Sequence, residues 1–165
     1  MLTAEHLRKV LHYDPATGSW RWLVTLSNRA VAGSSAGSLR KRGDITIRIG
    51  GVEYKSHRLA YLYMTGSWPA DQVDHRDRVR SHNWWTNIRP ADNSQNGANK
   101  PVRSDSKTGV KNVAYYPDKS KANPYVAFGQ RQGKRVWLGA YPSVEAAAAA
   151  AFKHAKAEFG AFAHA

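Results

Sequence analysis

The sequence contains no cysteine among its 165 residues, so disulfide bonds and thiolate zinc sites are both excluded. It also contains no apolar run long enough for a transmembrane helix. The first residues, MLTAEHLRKVLHYD, lack the apolar segment of a signal peptide. We therefore expect a protein of the reducing cytoplasm that does not bind membranes.

Acidic residues are scarce. The chain has 12 Asp and Glu against 25 Lys and Arg, which gives a net charge of +13. Such an excess favours a polyanionic partner, because each neutralised phosphate releases condensed counterions. A membrane surface would also attract this charge, but we find no basic amphipathic helix. Charge alone predicts nucleic acid as the partner and leaves open a basic protein of another kind.

Local patterns in the first half predict helices separated by short strands and turns. Gly50-Gly51 between two alternating segments indicates a β-hairpin, and Gly66 marks the end of a helix. The predicted elements are a helix over Thr3–Leu11 capped by Thr3, a turn at Asp14–Gly18, a strand with Trp20, Trp22 and Val24, a loop over Ser27–Gly37, the hairpin Ile45–Tyr54 and a helix over His57–Thr65.

The second half predicts three strands followed by one helix. The strands are expected at Val110–Tyr116, Tyr125–Arg131 and Val136–Tyr141, and the helix at Val144–Phe159 with Ser143 as its N-cap. The alanine run in this helix would let it lie close to the sheet, with Phe152 and Phe159 as larger anchors. The preceding segment, Lys100–Lys107, is basic, has no apolar period and is typical of a linker.

The central stretch, Val73–Asn99, is unusually rich in His, Asp, Asn and Trp. Burying so many polar groups without partners would be costly, which favours a site with chemistry or a ligand. We expect a strand ending at His75, a second strand at Trp85–Arg89 and a short helix at Ala91–Asn99. Together these elements would bring Asp74, His75 and Asn96 within reach of one another.

These residue types suit phosphodiester hydrolysis. His75 has an intrinsic pKa suited to a general base. Asp74 and Asn96 offer hard oxygen donors for Mg²⁺ or Mn²⁺. Asn87 can hold the imidazole, or the loop that carries it, in the required orientation.

The same stretch resembles the motif of HNH endonucleases (the His-Me finger, or ββα-metal fold) of the phage and homing type. The resemblance rests on Asp74-His75, Asn87-Ile88-Arg89 and Ser94-Gln95-Asn96, with spacings of 12 and 9 residues between His75, Asn87 and Asn96. The preceding segment, HRLAYLYMTGSWP, is similar to the one found upstream of the motif in phage proteins. The resemblance implies that His75 is the general base, Asp74 and Asn96 are metal ligands, and Asn87 orders the loop. It also implies a phage-encoded protein acting in a bacterial host.

Two features depart from the HNH pattern. The loop after His75 lacks the glycine often found there, and His82 stands where Asp or Asn is usual. We interpret the loop arginines as phosphate contacts and His82 as a surface residue, and we expect His57 to pack or cap a helix. The candidate DNA contacts of this half are Arg76, Arg78, Arg80 and Arg89.

The segment from 108 to 160 resembles the plant ethylene-response-factor DNA-binding domain (the AP-two fold). The resemblance rests on RVWLGAY at Arg135–Tyr141, the alanine-rich helix after it, Gly109-Val110 and Tyr125-Val126-Ala127. Such a domain lays its three-stranded sheet in the DNA major groove. Alternation places Val136 and Leu138 against the helix and Arg135 and Trp137 on the opposite face. The candidate DNA contacts of this half are Lys111, Arg131, Lys134, Arg135 and Trp137.

Together these observations predict an α+β protein. Residues 1–100 would form a hairpin and helix region with a ββα-metal finger at about 70–100, residues 101–107 a linker, and residues 108–165 a small three-stranded antiparallel sheet packed on one helix. The predicted function is metal-dependent hydrolysis of double-stranded DNA, by a monomer or dimer without a small-molecule cofactor. One site per chain favours nicking. A DNA-binding regulator with an inactive nuclease centre is the alternative, and an RNA-associated protein is a third possibility.

Overall fold

The computed structural model of the protein describes residues 1–117 and 122–164, and the chain divides into two compact units. The first unit is Met1–Asp92 and the second is Asn93–Ala165. The division therefore falls before the linker predicted at 101–107. The finer assignment of a nuclease domain, a linker and a DNA-binding domain stays a prediction.

The first unit contains two α-helices and seven strands, which form three small antiparallel sheets. The strands pair as β1 with β2, as β3-β4-β5, and as β6 with β7. The elements are α1 (Ala4–Val10), β1 (Leu11–Tyr13), β2 (Trp20–Trp22), β3 (Ser38–Leu39), β4 (Ile45–Ile49), β5 (Val52–Lys55), α2 (Ser56–Thr65), β6 (Gln72–His75), a 3₁₀ turn (Trp85–Asn87) and β7 (Ile88–Ala91).

Local signals account for most of these elements. The Thr3 hydroxyl accepts a hydrogen bond from the N–H of His6, which is the predicted cap of α1. Gly50 and Gly51 both adopt the positive φ that the tight β4–β5 turn requires, and Gly66 ends α2 in the left-handed conformation. The hairpin and both helices are confirmed. The strand with Trp20 is shorter than predicted, because it ends at Trp22 and leaves Val24 outside.

The core of the first unit is built around large rings. Tyr13, Trp20 and Tyr63 contact one another with ring centroids 4.8 to 5.8 Å apart. The indole N–H of Trp20 donates to the Ser56 hydroxyl at 2.9 Å, so its one polar atom is satisfied in the interior. Leu7, Leu11, Ile47, Leu59 and Leu62 complete the buried cluster around these rings.

The strand predicted over Trp85–Arg89 was only half right. Trp85–Asn87 is a 3₁₀ turn, and the strand begins at Ile88. The reason is that the backbone N–H and the backbone carbonyl of Asn87 both form hydrogen bonds outside the pairing of β6 with β7. Its N–H donates to the carbonyl of Trp84, and its own carbonyl accepts from the N–H of Arg76. The local alternation resembled a strand, but these contacts bend the chain before pairing with β6 begins.

The second unit contains α3 (Asn93–Asn99), the strands β8 (Val113–Tyr115), β9 (Tyr125–Arg131) and β10 (Lys134–Tyr141), α4 (Val144–Phe159) and a 3₁₀ turn (Gly160–Phe162). The strands form an antiparallel sheet in the order β10-β9-β8, and α4 packs against it. Ser143 caps α4 as predicted, by accepting from the N–H of Ala146. A sheet with one packed helix is therefore confirmed.

The close approach of α4 to the sheet depends on small side chains. The buried core is Val113, Ala127, Ala147 and Ala151, and a Cβ on Gly129 would overlap the ring of His154 on α4. Phe152, predicted as an anchor of this packing, is 42 % exposed. That prediction was wrong because the buried stripe of α4 passes through Ala147 and Ala151, which leaves Phe152 on the outward side.

In the described part of the chain, every helix is too short or too polar to cross a bilayer.

Candidate nuclease site

The antiparallel pairing of β6 with β7 sets Asp74 directly opposite Arg89. The guanidinium Nε and Nη2 of Arg89 lie 3.0 and 2.9 Å from Asp74 Oδ2. Both side chains are only 6 % exposed. Burying a carboxylate without a partner is costly, and Arg89 forms an ion pair with it. Arg89 was predicted as a DNA contact, and in the structure its charged group faces the interior and Asp74.

The next residue on β6, His75, is held on two sides. Its Nε2 lies 2.9 Å from the side-chain oxygen of Asn83, and both residues are buried. On another side the ring of His57 stands edge-on, with centroids 4.9 Å apart and an interplanar angle of 81°. The imidazole of His75 therefore has a defined place in the fold, although it lies at the end of a strand and next to a polar loop.

His57 is a buried neutral ring. Burial, with a smaller contribution from His75 and nearby cations, lowers the pKa of His57 to about 3. Its Nδ1 has no hydrogen-bond partner within the described residues. The predicted packing role agrees with this environment, and the contact with His75 is an addition that the sequence did not indicate.

The loop between His75 and Asn87 is closed by the side chain of Asn87. Its amide nitrogen donates to Asp77 Oδ1 at 3.0 Å and to the carbonyl of His82 at 2.7 Å. Its amide oxygen accepts from the N–H of Asp77 at 3.1 Å. One buried side chain thus joins the start and the end of the loop, at a single turn before β7.

Asp77 and His82 form a second polar pair within this loop. His82 Nδ1 lies 2.6 Å from Asp77 Oδ2, and the ring of His82 contacts that of Trp84 in a tilted arrangement, with centroids 4.6 Å apart. Burial raises the pKa of Asp77, but hydrogen bonds from Val79, Asn87 and His82 outweigh that effect and leave it below its ordinary value. The position of His82 agrees with the interpretation of a partly exposed loop residue.

The three arginines of the loop, Arg76, Arg78 and Arg80, are all exposed. Arg78 has a φ of 66°, the left-handed conformation that glycine adopts most easily. The loop glycine that the HNH pattern often has would suit this position, where the sequence has an arginine. Arg80 lies near the β3–β4 turn, with Nη1 3.5 Å from the carbonyl of Arg42.

The fourth residue of the predicted centre, Asn96, lies on α3 and therefore in the second unit. In the same unit, the ammonium group of Lys111 donates to the carbonyls of Gly97, Ala98 and Lys100. These are the carbonyls at the end of α3, where a cation is favourable. Lys111 was predicted as a DNA contact, and in the structure it binds the end of the helix that carries Asn96.

The remaining predicted DNA contacts divide between the two faces of the sheet in the second unit. Arg135 and Trp137 lie on its exposed face, where the Arg135 guanidinium stacks 3.4 Å from the centroid of the Phe128 ring. Trp137 is 66 % exposed. Arg131 instead lies near α4, with Nε 3.6 Å from Glu158, and Lys134 pairs with it in register.

Asn83 is a buried residue of the site that was not among the predicted site residues. It is 1 % exposed and is one of the largest fully buried side chains. The only available signal was the pattern of buried polar types within Val73–Asn99, which does not say which asparagine contacts the histidine. Only the closed loop shows that Asn83, eight residues after His75, returns to it.

Taken one residue at a time, the side chains predicted as metal ligands have suitable donor atoms. The carboxylate of Asp74 and the amide oxygen of Asn96 are both of the kind that Mg²⁺ and Mn²⁺ prefer. No group of three or more His, Cys, Asp or Glu side chains converges on a possible metal position within residues 1–117 and 122–164.

No curated protein and no solved structure matches this chain. A protein-family model matches part of it. Residues 54–98, which carry α2, β6, the loop, β7 and most of α3, match the family model described as HNH endonuclease. The match contains Asp74, His75, Asn87 and Asn96, so this segment of the chain is similar to HNH endonucleases.

Proposed function

We propose that this protein is a metal-dependent endonuclease that hydrolyses phosphodiester bonds of double-stranded DNA. The observation that carries the proposal is the buried Asp74-His75 pair, held at the end of β6 inside the segment that matches HNH endonucleases. The net charge of +13 supports a polyanionic substrate. One such pair per chain favours a nick over a double-strand break.

The residues of the centre divide the work. His75 takes the proton of the attacking water. Asp74 and Asn96 would hold a Mg²⁺ or Mn²⁺ ion, which would supply Lewis-acid stabilisation of the scissile phosphate. Asn87 closes the loop that keeps His75 and its neighbours in place, through the three hydrogen bonds to Asp77 and His82. Arg89 orients Asp74 by binding Oδ2, and we assign it this role in place of a phosphate contact.

DNA binding is proposed for both units. In the first unit, Arg76, Arg78 and Arg80 are exposed on the loop that follows His75 and would bind phosphates. In the second unit, the exposed face with Arg135 and Trp137 would enter the major groove in the manner of an AP-two-like sheet. Arg131 and Lys134, near the turn between β9 and β10, would bind the adjacent backbone. Lys111 would act on α3.

A plasmid assay tests the nuclease proposal. We expect the purified protein to nick supercoiled plasmid with Mg²⁺ or Mn²⁺, and His75→Ala to reduce nicking by at least about 100-fold, the usual contribution of a general base. DNA binding, measured by gel shift, should persist in His75→Ala. The matched control is His12→Ala, an exposed histidine on β1. Equal nicking by His75→Ala and the unmodified protein would remove His75 as the base.

One observation favours a second candidate, a DNA-binding regulator with an inactive nuclease centre. The charge of Asp74 is already neutralised by Arg89, which lowers the attraction of this carboxylate for a metal ion. The same assay separates the two candidates. DNA binding without nicking at any concentration of Mg²⁺ or Mn²⁺ would favour the regulator, and metal-dependent nicking that requires His75 would exclude it.

A further inference from the structure

The hydrogen bond between Asn83 and His75 restricts the tautomer of the neutral imidazole. The side-chain nitrogen of Asn83 donates to the carbonyl of Ser81 at 3.3 Å, so its oxygen is the atom that faces His75 Nε2 at 2.9 Å. An amide oxygen can only accept a hydrogen bond. Nε2 must therefore carry a proton, and in neutral imidazole the basic lone pair is then on Nδ1.

Asn83 itself is held by a segment near the N-terminus. The hydroxyl of Tyr13 donates to the carbonyl of Asn83 at 2.6 Å, in a buried position. The N–H of Trp85 donates to the carbonyl of Pro15 at 2.8 Å. These two bonds fix the loop residues on both sides of Trp84 against the turn that follows β1.

At this turn the backbone of Gly18 lies against the backbone of Asn83 and Trp84, so a side chain would not fit there. Gly18 has a φ of 74°, and a Cβ at this position would overlap the backbone of Asn83 and Trp84. The turn Asp14–Gly18 lies well outside residues 54–98, the segment that matches the family model. The support for Asn83 therefore comes from a part of this chain that the family match does not include.

We propose that Asn83 is a positioning residue that holds His75 in the Nε2–H tautomer, so that Nδ1 accepts the proton of the attacking water, and that the Tyr13–Gly18 segment fixes Asn83 for this purpose. The inference rests on the proposed role of His75 as general base. In the hydrolysis, the water oxygen bonds to phosphorus and its proton passes to Nδ1. The bond from phosphorus to the leaving oxygen breaks, and that oxygen takes a proton from solvent.

The test compares Asn83→Leu with Asn83→Asp in the full-length protein. Asn83→Leu keeps the size but removes the acceptor, and we expect kcat for plasmid nicking to fall about 10- to 100-fold with little change in KM for DNA. Asn83→Asp keeps an acceptor oxygen and should retain much more activity than Asn83→Leu. The matched control is Asn28→Leu, an exposed asparagine in the loop after β2, which should nick at the normal rate.

Nitrogen NMR of the His75 side chain gives a readout that does not depend on activity. We expect Nε2 to carry the proton in the unmodified protein and in Asn83→Asp, and a mixture of tautomers in Asn83→Leu. If Asn83→Leu does not fold, Tyr13→Phe provides the second variant. It removes only the hydroxyl that binds the Asn83 carbonyl and should give a smaller loss of kcat in the same direction.

The outcomes separate this inference from the nuclease proposal. Nicking that requires His75 but is unchanged in both Asn83→Leu and Tyr13→Phe would overturn the role of Asn83 alone. A proton on Nδ1 in place of Nε2 in the unmodified protein would also overturn it. Absence of nicking in the unmodified protein would defeat the nuclease proposal, while the NMR result would still decide the tautomer.

Discussion

The two units of the protein have cores of opposite character. In the first, the buried cluster includes Tyr13, Trp20, Trp22 and several leucines, and polar side chains such as Asp74 and Arg89 are buried beside it. In the second, the buried hydrophobic cluster between sheet and helix consists of one valine and three alanines, and its largest aromatic side chain, Trp137, is exposed. Hydrophobic stabilisation grows with the apolar area removed from water, so the first unit should be the more stable of the two.

The difference between the two cores corresponds to the different roles proposed for the two units. A general base, the role proposed for His75, must be held within a fraction of an ångström. The first unit surrounds His75 with a buried asparagine, a buried histidine and a loop closed by Asn87. A surface that binds a polyanion needs exposed cations and rings, which a thin sheet on a small-residue helix can present. We infer that the first unit uses its core to position chemistry, and that the second exposes its large side chains for contact.

The sharpest test of this contrast is a pair of tryptophan substitutions. Trp20→Ala removes a buried ring and its bond to Ser56, and should destabilise the first unit by about 3–5 kcal/mol. Trp137→Ala removes an exposed ring, so the free energy of unfolding should change by less than about 0.5 kcal/mol while DNA affinity falls. Denaturant unfolding followed by circular dichroism and a gel shift measure the two effects. A large stability loss in Trp137→Ala would contradict the contrast.

A second test compares a buried ion pair of the first unit, Arg89 with Asp74, with an exposed one of the second unit, Arg131 with Glu158. Arg89→Leu leaves the Asp74 carboxylate buried without its partner and should cost about 3–5 kcal/mol. Arg131→Leu breaks an exposed contact with Glu158 and should cost less than about 1 kcal/mol. The variant Asp74→Leu/Arg89→Leu should recover much of the lost stability, because no charge is then left unpaired. Equal costs for Arg89→Leu and Arg131→Leu in denaturant unfolding would show that burial does not distinguish the pairs.

The elements of both units were largely predictable from local sequence, because caps, turn glycines and apolar periods act within a few residues. The Gly50-Gly51 hairpin, the end of α2 at Gly66 and the Ser143 cap are examples. Contacts between distant residues were not predictable. Arginine is a residue type that often binds phosphate, so Arg89 was predicted to contact DNA. Only the register of β6 and β7 shows that it lies opposite Asp74.

The candidate site follows the same division. The residue types at Asp74, His75, Asn87 and Asn96 indicate hydrolysis of phosphodiesters, and their assigned roles stay predictions. Neither the contact of Asn83 with His75 nor that of Lys111 with the end of α3 could be deduced from spacing, since each depends on how a loop closes. In the same way, alternation could not place Trp85–Asn87 outside the strand, because the backbone hydrogen bonds of Asn87 with Trp84 and Arg76 decide it.

The third prediction concerns the pH dependence of the first unit. In the folded protein His57 has a pKa of about 3 and is therefore neutral, whereas a histidine in the unfolded chain takes up a proton near pH 6.5. Stability from this group is therefore complete above pH 6.5 and is lost as the pH falls towards 3, by up to about 1.4 kcal/mol per pH unit. His57→Gln should reduce the slope in that range.

Tryptophan fluorescence during denaturant unfolding reports this change, because five of the six tryptophans lie in the first unit. The comparison is between slopes of the unfolding free energy from pH 6.5 to 4.5, which removes any constant effect of the substitution on packing. The same slope in His57→Gln and the unmodified protein would mean that other groups cause the pH dependence.

The smallest expected effect concerns two non-glycine residues in the left-handed conformation, one in each unit. Arg78 has a φ of 66° and Gln132 a φ of 50°. This conformation costs a residue with a Cβ about 1 kcal/mol relative to glycine, so Arg78→Gly and Gln132→Gly should both be neutral or slightly stabilising. Their effects on DNA should differ. Arg78→Gly removes a proposed phosphate contact and should weaken DNA binding and lower its salt dependence, whereas Gln132→Gly changes no charge and should leave the salt dependence unaltered. Gel shifts at several salt concentrations measure both slopes, and an unchanged slope in Arg78→Gly would mean that Arg78 occupies a strained position without contacting DNA.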